Sequence, residues 1–285
     1  MSPLVLYHGN CPDGFTAAWA VWKALGDQAE YRAVNYGEAP PLDDAAGRRV
    51  ILVDFSYPRA ALDALADVAA SVEVYDHHKT AQADLVGWER GGVVFDMERS
   101  GAGIAWDAFH PGRVRPALIA YVEDRDLWRW QLTSSREVSE YVFSWSYLFA
   151  NWDRLASQLG ALDPRGGVAF QTAVECGSAM LRAKRARVAK VCEHARWLIF
   201  SGGVGDQVTL PVVNTSWDFS EIGEYLCERF PDAPAGGYYF DRADQRQWGF
   251  RSRGEFDVSE LCKRYGGGGH KAAAGFQSEI GWLPC

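Results

Sequence analysis

Short apolar runs alternate with helical patterns along the first 130 residues of the chain. The apolar runs lie at residues 4–7, 50–53 and 72–75. Each is apolar at nearly every position, which is typical of parallel strands covered by helices on both faces. Helical patterns follow at 14–25, 60–70, 104–109 and 117–122. This alternation predicts an α/β fold with a mainly parallel sheet.

The rest of the chain predicts a helix and then a smaller domain. The stretch 168–194 has no proline and is rich in Ala, Arg, Lys and Glu, which favours one extended helix after the loop at 163–167. Beyond it, strand-like segments (197–200, 208–214, 237–240, 248–251) alternate with helical ones (220–230, 258–265). We therefore expect a first domain over 1–165, a helical linker over 166–195 and a mixed α/β domain over 196–285.

Length and charge limit the class of partner. The 285 residues suit two domains of ordinary size. Lys and Arg total 29 against 37 Asp and Glu, giving a formal net charge of −8, so no broad basic face for duplex DNA or RNA is expected. Any nucleic-acid substrate should be short, or held through metal ions.

We expect neither a membrane-spanning segment nor a disulfide framework. No apolar run approaches the roughly 18–20 residues that cross a bilayer, and the first residues lack a basic leader, so we expect a cytoplasmic protein. The six cysteines are scattered without a C-x-x-C pair. This spacing argues against both a zinc finger and a disulfide scaffold, and favours free thiols.

Polar residues follow the three apolar runs. They are His8, Asp54 and the triplet Asp76-His77-His78. A lone Asp in such a place ordinarily caps a helix or forms a turn. Adjacent histidines at a strand end are harder to explain by packing, and ligands bind at the carboxyl ends of strands in open α/β sheets. With Asp13 and Asp124, these oxygen and nitrogen donors suit Mn²⁺ or Mg²⁺.

A glycine run marks a second candidate site. The four glycines at 266–269 precede His270 and Lys271, so backbone N–H groups could approach an anion closely. The spacing is not that of a P-loop. A flexible turn before a small-residue segment is the alternative. Arg251 and Arg253, just upstream, could clamp the same phosphate or could simply be solvent-exposed.

Taken in order, these segments resemble the motifs of the DHH phosphoesterase family with its DHH-associated C-terminal domain. The segments are 8–14 (HGNCPDG), 53–54, 76–78 and 266–270. The family includes single-strand DNA exonucleases, nanoRNases, cyclic-dinucleotide phosphodiesterases and the related family II pyrophosphatases. The resemblance implies a site for two ions, usually Mn²⁺, between the two domains.

The resemblance also implies roles for individual residues. His8, Asp13 and Asp54 would hold one ion. Asp54, His77 and Asp124 would hold the other, so that Asp54 bridges the two ions. The catalytic residues would be Asp54, His77 and His78, with His78 beside the scissile phosphate. Asp126 competes with Asp124 for the same ligand position.

In the C-terminal domain, the resemblance implies that substrate phosphate binds to Arg251, His270, Gly268 and Gly269. The first motif departs from the family pattern, because Asp13-Gly14 is followed by Phe15 where a second Asp is common. A carboxylate would then be missing from the second ion. Its ligand role would pass to the neighbouring Asn10 or to water.

These observations predict a divalent-metal-dependent phosphodiesterase for short single-stranded RNA or DNA, or for dinucleotides. Two ions would activate water for in-line attack. Trp128, Trp130, Trp145 and Trp152 could stack bases, although most tryptophans pack in cores. Two alternatives remain: a phosphoanhydride or phosphomonoester hydrolase related to pyrophosphatases, and a nucleotide-sensing module that has lost its chemistry.

Overall fold

The computed structural model describes residues 1–160, 167–201 and 207–284. The chain divides into two compact units, Met1–Leu181 and Arg182–Cys285. The boundary falls inside one long helix, within the range that the sequence assigned to a linker.

The first unit contains five strands and the helices that connect and follow them. Its strands are β1 (Leu4–His8), β2 (Glu30–Val34), β3 (Arg49–Val53), β4 (Ser71–Asp76) and β5 (Gly92–Phe95). Its helices are α1 (Pro12–Leu25), α2 (Leu42–Ala45), α3 (Arg59–Val68), α4 (Lys79–Asp84), α5 (Gly101–Phe109), α6 (Ala117–Asp126), α7 (Ser135–Phe143) and α8 (Phe149–Leu159). The long helix α9 (Val168–Cys192) runs from this unit into the next.

The five strands form one parallel sheet in the order β2-β1-β3-β4-β5. Strand β1 pairs with β2 on one side and β3 on the other, so the direction of winding reverses between β1 and β3. In doubly wound sheets, the crevice at this switch point holds the ligand. The predicted α/β fold with a parallel sheet is confirmed.

Both faces of this sheet are buried, which explains the continuous apolar runs. On β1, Leu4 and Leu6 pack into one core, and Val5 packs into the other. Neighbouring residues of a strand point to opposite faces, so a strand covered on both faces must be apolar at every position. Because the central strands are packed on both faces, the residues at their carboxyl ends are held in fixed positions.

The second unit is built on a six-stranded mixed sheet in the order β10-β11-β9-β8-β7-β6. Its strands are β6 (Arg196–Ser201), β7 (Gln207–Asn214), β8 (Ala235–Arg242), β9 (Gln245–Ser252), β10 (Gly268–His270) and β11 (Ala273–Glu279). Its helices are α10 (Phe219–Arg229) and α11 (Val258–Lys263). Phe200 and Phe250 lie in one of its cores, and Val213 and Leu226 lie in the other.

Within the described ranges, none of the helices has both the length and the apolar character that crossing a membrane requires.

Candidate functional site

The carboxyl ends of three neighbouring strands carry the polar residues that the sequence singled out. His8 ends β1, Asp54 follows β3, and His77 with His78 follow β4. These strands are adjacent in the sheet, and β1 and β3 form the switch point. The convergence expected from the strand pattern is therefore present in the structure.

The donor atoms form two groups, each small enough to surround one ion. His8, Asp54 and His78 form the first group. Asp13, His77 and Asp126 form the second. Within each group, the ligand atoms lie within 4.8 Å of one another. We call these two groups the metal centre.

Asp54 links the two groups. Its Oδ2 lies 3.5 Å from Nδ1 of His8, and its Oδ1 lies 3.2 Å from Nε2 of His77. The residue is 1% exposed, and within the described chain neither carboxylate oxygen has a well-formed hydrogen bond. A buried carboxylate left in this state points to a cation that completes its shell.

The backbone of Asp54 is unusual in a way that helps to place this carboxylate. Its φ is 54°, in the left-handed region that Asp and Asn tolerate better than other residues with a side chain. Gly101, at the start of α5, lies against it. A Cβ on Gly101 would be 2.4 Å from Cβ of Asp54, so only glycine fits there.

Asp13 is held by the amino end of α5. Its Oδ2 accepts a hydrogen bond from Gly101 N at 2.6 Å, and its Oδ1 accepts one from Ala102 N at 3.0 Å. Asp13 lies in the first turn of α1, two residues after Cys11. Two backbone donors and the positive end of a helix therefore fix a carboxylate that is 1% exposed.

Asp76 orients His78. Its Oδ1 lies 2.6 Å from Nδ1 of the His78 ring and accepts a hydrogen bond from His77 N at 2.8 Å. A carboxylate on one ring nitrogen sets the tautomer and leaves the other nitrogen to ligate. Nε2 of His78 is then the atom available in the first group.

The charged groups of the metal centre strongly shift one another's pKa values. Burial alone would lower the pKa of His77, but Asp54, Asp126 and Asp13 around it raise the pKa to about 10. Burial alone would raise the pKa of Asp54, but the His77 and His8 imidazoles hold that pKa well below its ordinary value.

The pKa values of the other two carboxyl groups, Asp13 and Asp126, are instead raised. Burial and the charges of Asp54 and Asp126 raise the pKa of Asp13 well above its ordinary value. Burial likewise raises the pKa of Asp126, against the favourable charge of His77. Three carboxylates in one buried region repel one another, and divalent cations would relieve that repulsion.

The structure places Asp126, and not Asp124, at the metal centre. Oδ2 of Asp126 lies 3.5 Å from Nε2 of His77. The carboxylate of Asp124 instead accepts hydrogen bonds from Gln131 N at 2.9 Å and from the Ser135 hydroxyl at 2.5 Å. Its oxygens are occupied by the turn after α6, so of the two competing residues it is Asp126 that lies among the other donor atoms.

Two further residues at the metal centre had no assigned role. Burial and the charges of Asp54, Asp126 and Asp13 raise the pKa of the Cys11 thiol well above its usual range. Tyr36 is 54% exposed as a residue, and its ring lies edge-on to His8, with ring centroids 5.3 Å apart. Tyr36 follows the edge strand β2, where no polar motif marks it.

In the second unit, Arg251 on β9 and His270 on β10 are both paired with the same residue of the strand between them, β11. Ala273 of β11 pairs with His270 of β10 and with Arg251 of β9. Directly paired residues share a face, so both side chains project from the same face of the sheet. Arg251 also donates a hydrogen bond to the Ser220 hydroxyl at 3.1 Å.

The glycine run is explained in part by packing. Gly268 and Gly269 belong to β10, which pairs with β11, rather than to an open loop. A Cβ on Gly267 would be 2.1 Å from the Gly275 carbonyl oxygen. Gly269 has a φ of 141°, where a side chain is strained. Gly267 and Gly269 are needed for this close strand approach whether or not an anion binds.

The donor set fits divalent cations that prefer oxygen and nitrogen ligands. The two groups supply three carboxylates and three imidazoles. The same mixture without thiolate ligands is typical of Mn²⁺ and Mg²⁺ sites.

The chain shows modest sequence similarity to a viral protein. An uncharacterized protein of Acanthamoeba polyphaga mimivirus is 29% identical over 302 residues, which cover 99% of this chain and 69% of that protein. No protein-family model matches the chain.

Two solved structures share the fold. A DHH domain from a member of a family of ribosomal proteins is 13% identical with a TM-score of 0.54, over 96% of this chain and 82% of that one. RecJ of Thermus thermophilus, solved in complex with Mn²⁺, is 16% identical with a TM-score of 0.53 over 98% of this chain. The match covers 49% of RecJ, so this chain spans about half of that protein. The resemblance inferred from the motifs is thus confirmed at the level of the fold: the chain has the fold of the DHH proteins.

Proposed function

We propose that this protein is a metal-dependent phosphodiesterase that hydrolyses short single-stranded oligonucleotides or dinucleotides. The observation that carries the proposal is the pair of ligand groups joined by Asp54, a buried carboxylate without well-formed hydrogen bonds among the described residues. Two sites that share a carboxylate are typical of enzymes that transfer or hydrolyse phosphoryl groups. The bound ions would supply Lewis acidity and an activated water.

The chain's own residues would hold and orient this chemistry. His8, Asp54 and His78 would bind one ion, and Asp13, His77 and Asp126 the other. Asp76 keeps His78 in a single tautomer. The backbone donors Gly101 N and Ala102 N keep Asp13 fixed, so little reorganisation is needed during the reaction.

Arg251 and His270, with Gly268 and Gly269, would bind phosphate on the second unit. Their shared face and register support this role, since a guanidinium and an imidazole there could contact one anion. The proposal for these residues stands apart from that for the metal centre. Arg251→Ala would test it through the affinity for a 5′-phosphorylated dinucleotide.

A short substrate agrees with the charge of the chain. With a net charge of −8, the protein has no excess of cations to neutralise a long phosphate backbone. A dinucleotide brings few phosphates, which the bound ions and a few arginines could neutralise.

A turnover assay on three substrates tests the proposal. Wild-type protein with Mn²⁺ should cleave a 5′-phosphorylated dinucleotide, and EDTA should stop the reaction. Asp54→Asn should reduce turnover by at least about 100-fold, because even residues behind the ligands contribute about 10- to 100-fold. Asp67→Asn makes the same change at an exposed surface pair with Arg90 and should have no effect.

Other outcomes would contradict the proposal. Turnover of pyrophosphate alone would indicate a phosphoanhydride hydrolase. A protein that binds Mn²⁺ but is inert on the dinucleotide, on pyrophosphate and on a bis-aryl phosphodiester would indicate a sensing module. Asp54→Asn with wild-type turnover would remove the ligand assignment.

A further inference from the structure

The turn after α6 places two tryptophans just beyond Asp126, with one arginine in the helix before the turn and one in the helix after it. The Trp128 and Trp130 rings pack edge to face, with centroids 4.9 Å apart, and both side chains are partly exposed. Arg125 precedes Asp126, and Arg136 lies in the first turn of α7. We call these four residues, Arg125, Trp128, Trp130 and Arg136, the Trp–Arg patch.

The arginines of the Trp–Arg patch lie over the aromatic rings. The guanidinium carbon of Arg136 is 4.2 Å from the Trp130 ring centroid and 5.9 Å from that of Trp128. Arg125 is 5.8 Å from the Trp128 centroid. Nucleobases stack on aromatic rings and on guanidinium planes, and phosphates accept hydrogen bonds from arginine. The patch therefore offers aromatic rings on which a base can stack and guanidinium groups that can bind a phosphate.

The backbone that carries the two rings is strained. Trp128 and Trp130 both have φ of 55°, which is a rare conformation for a bulky side chain. Asp124 holds the turn in place, since its carbonyl oxygen accepts hydrogen bonds from Arg129 N at 2.8 Å and from Trp130 N at 3.4 Å. Such strain persists only where the surrounding structure enforces it, and it concentrates at functional sites.

The Trp–Arg patch adjoins the metal centre along the chain. Trp128 is two residues after Asp126, so their Cα atoms are at most about 7.6 Å apart. A base on the patch and a phosphate at the metal centre are therefore within reach of one nucleotide.

We propose that the Trp–Arg patch is a base-stacking subsite for the nucleoside next to the scissile phosphate of a single-stranded substrate. The identity of the substrate rests on the proposed function, whereas the stacking itself does not. The subsite would favour nucleotides over pyrophosphate, because pyrophosphate offers no base to stack.

Binding of matched ligands tests this subsite. The probes are a fluorescein-labelled single-stranded oligodeoxyadenylate and an abasic strand of equal length, measured by fluorescence anisotropy with Ca²⁺ in place of Mn²⁺. A gel confirms that the strands stay intact. Wild-type protein should bind the adenylate strand at least about 10-fold more tightly than the abasic one, as expected for one stacked base.

Trp128→Gly and Trp130→Gly remove each ring without straining the backbone further, because glycine accepts this φ. Each should weaken binding of the adenylate strand by about 10-fold and leave the abasic strand unchanged. Trp217→Ala removes a tryptophan that is 73% exposed in the second unit and should change neither. Trp128→Phe and Trp130→Phe should restore most of the preference for bases.

Circular dichroism checks the folding of each variant. If a glycine variant unfolds, Trp128→Leu or Trp130→Leu takes its place, since leucine keeps apolar volume without an aromatic face. Equal binding of the two strands by wild type, or an unchanged preference in both ring-deleted variants, would overturn the subsite. Base-dependent binding without hydrolysis of any phosphodiester would overturn the proposed function alone.

Discussion

At the scale of residues, the last turn of α6 shows how two similar side chains receive different roles. Asp124 and Asp126 are two positions apart on a helix, so they point in nearly opposite directions. Asp126 reaches His77, whereas Asp124 supports the following turn through Ser135 and the backbone. One carboxylate lies among the candidate metal ligands, and the other holds the following turn in place.

This difference predicts opposite effects for two matched substitutions. Asp126→Asn should weaken Mn²⁺ binding by about 10-fold or more and change stability little. Asp124→Asn should lower the free energy of unfolding by about 1–3 kcal/mol, because buried donors lose their carboxylate, and should affect Mn²⁺ binding less. Calorimetric titration and urea unfolding measure both. Equal loss of Mn²⁺ affinity in the two variants, with no loss of stability, would return Asp124 to the ligand set.

The sequence predicted His8, Asp54 and His77 because each lies at the end of a continuous apolar strand. It could not choose between Asp124 and Asp126, because the choice depends on Ser135, which lies beyond the turn at the start of the next helix. It also gave no role to Tyr36, whose position depends on how β2 lies beside β1. Contacts between segments, rather than motifs, decide such cases.

At the scale of elements, the amino end of α5 is packed directly against the metal centre. Gly101 N and Ala102 N bind Asp13, and the missing side chain of Gly101 makes room for Asp54. Ser100 caps this helix end by accepting a hydrogen bond from Gly103 N. One helix end therefore fixes a carboxylate in each of the two ligand groups.

Gly101→Ala should disturb both carboxylates. The added Cβ would lie 2.4 Å from Cβ of Asp54, so we expect a loss of about 1–3 kcal/mol in unfolding free energy, together with weaker Mn²⁺ binding. The control is Gly167→Ala, where an added Cβ meets no atom within 4 Å. If Gly101→Ala binds Mn²⁺ as the wild type does, the close approach does not matter for the centre.

In the first sheet, sequence patterns found the three central strands and missed the two edge strands. Strands β2 and β5 are the two edges of the first sheet and are only partly buried; polar residues interrupt β2, and the apolar run of β5 is only three residues long. Strands β10 and β11 were missed in the small-residue segment around the glycine run: β10 pairs with β11, and the pairing of β11 with β9 is non-local. Edge strands depend on their neighbours more than on their own composition.

At the scale of the whole molecule, the charge of the chain predicts a weak salt dependence of substrate binding. Each phosphate neutralised on a single strand contributes a slope of about −0.7 to log K against log salt. With only a few phosphates bound, we expect a slope no steeper than about −2, as measured by anisotropy over a range of potassium chloride concentrations.

The net negative charge of the chain also limits the length of substrate that the protein is expected to bind. Affinity should stop rising within the lower part of the range of about 4 to 16 nucleotides that single-strand binding folds cover. Affinity that continues to rise over this range, with a slope several-fold steeper, would indicate an extended basic track and argue against a short substrate.

The left-handed backbone at Asp54 has a consequence for the descent of this protein. Few residues occupy that conformation cheaply, and among them asparagine and glycine cannot supply an ionised carboxylate. A descendant could therefore lose the proposed hydrolytic activity by a single replacement and still keep its architecture. Homologues that carry Asn or Gly at this position are where inactive branches should be sought.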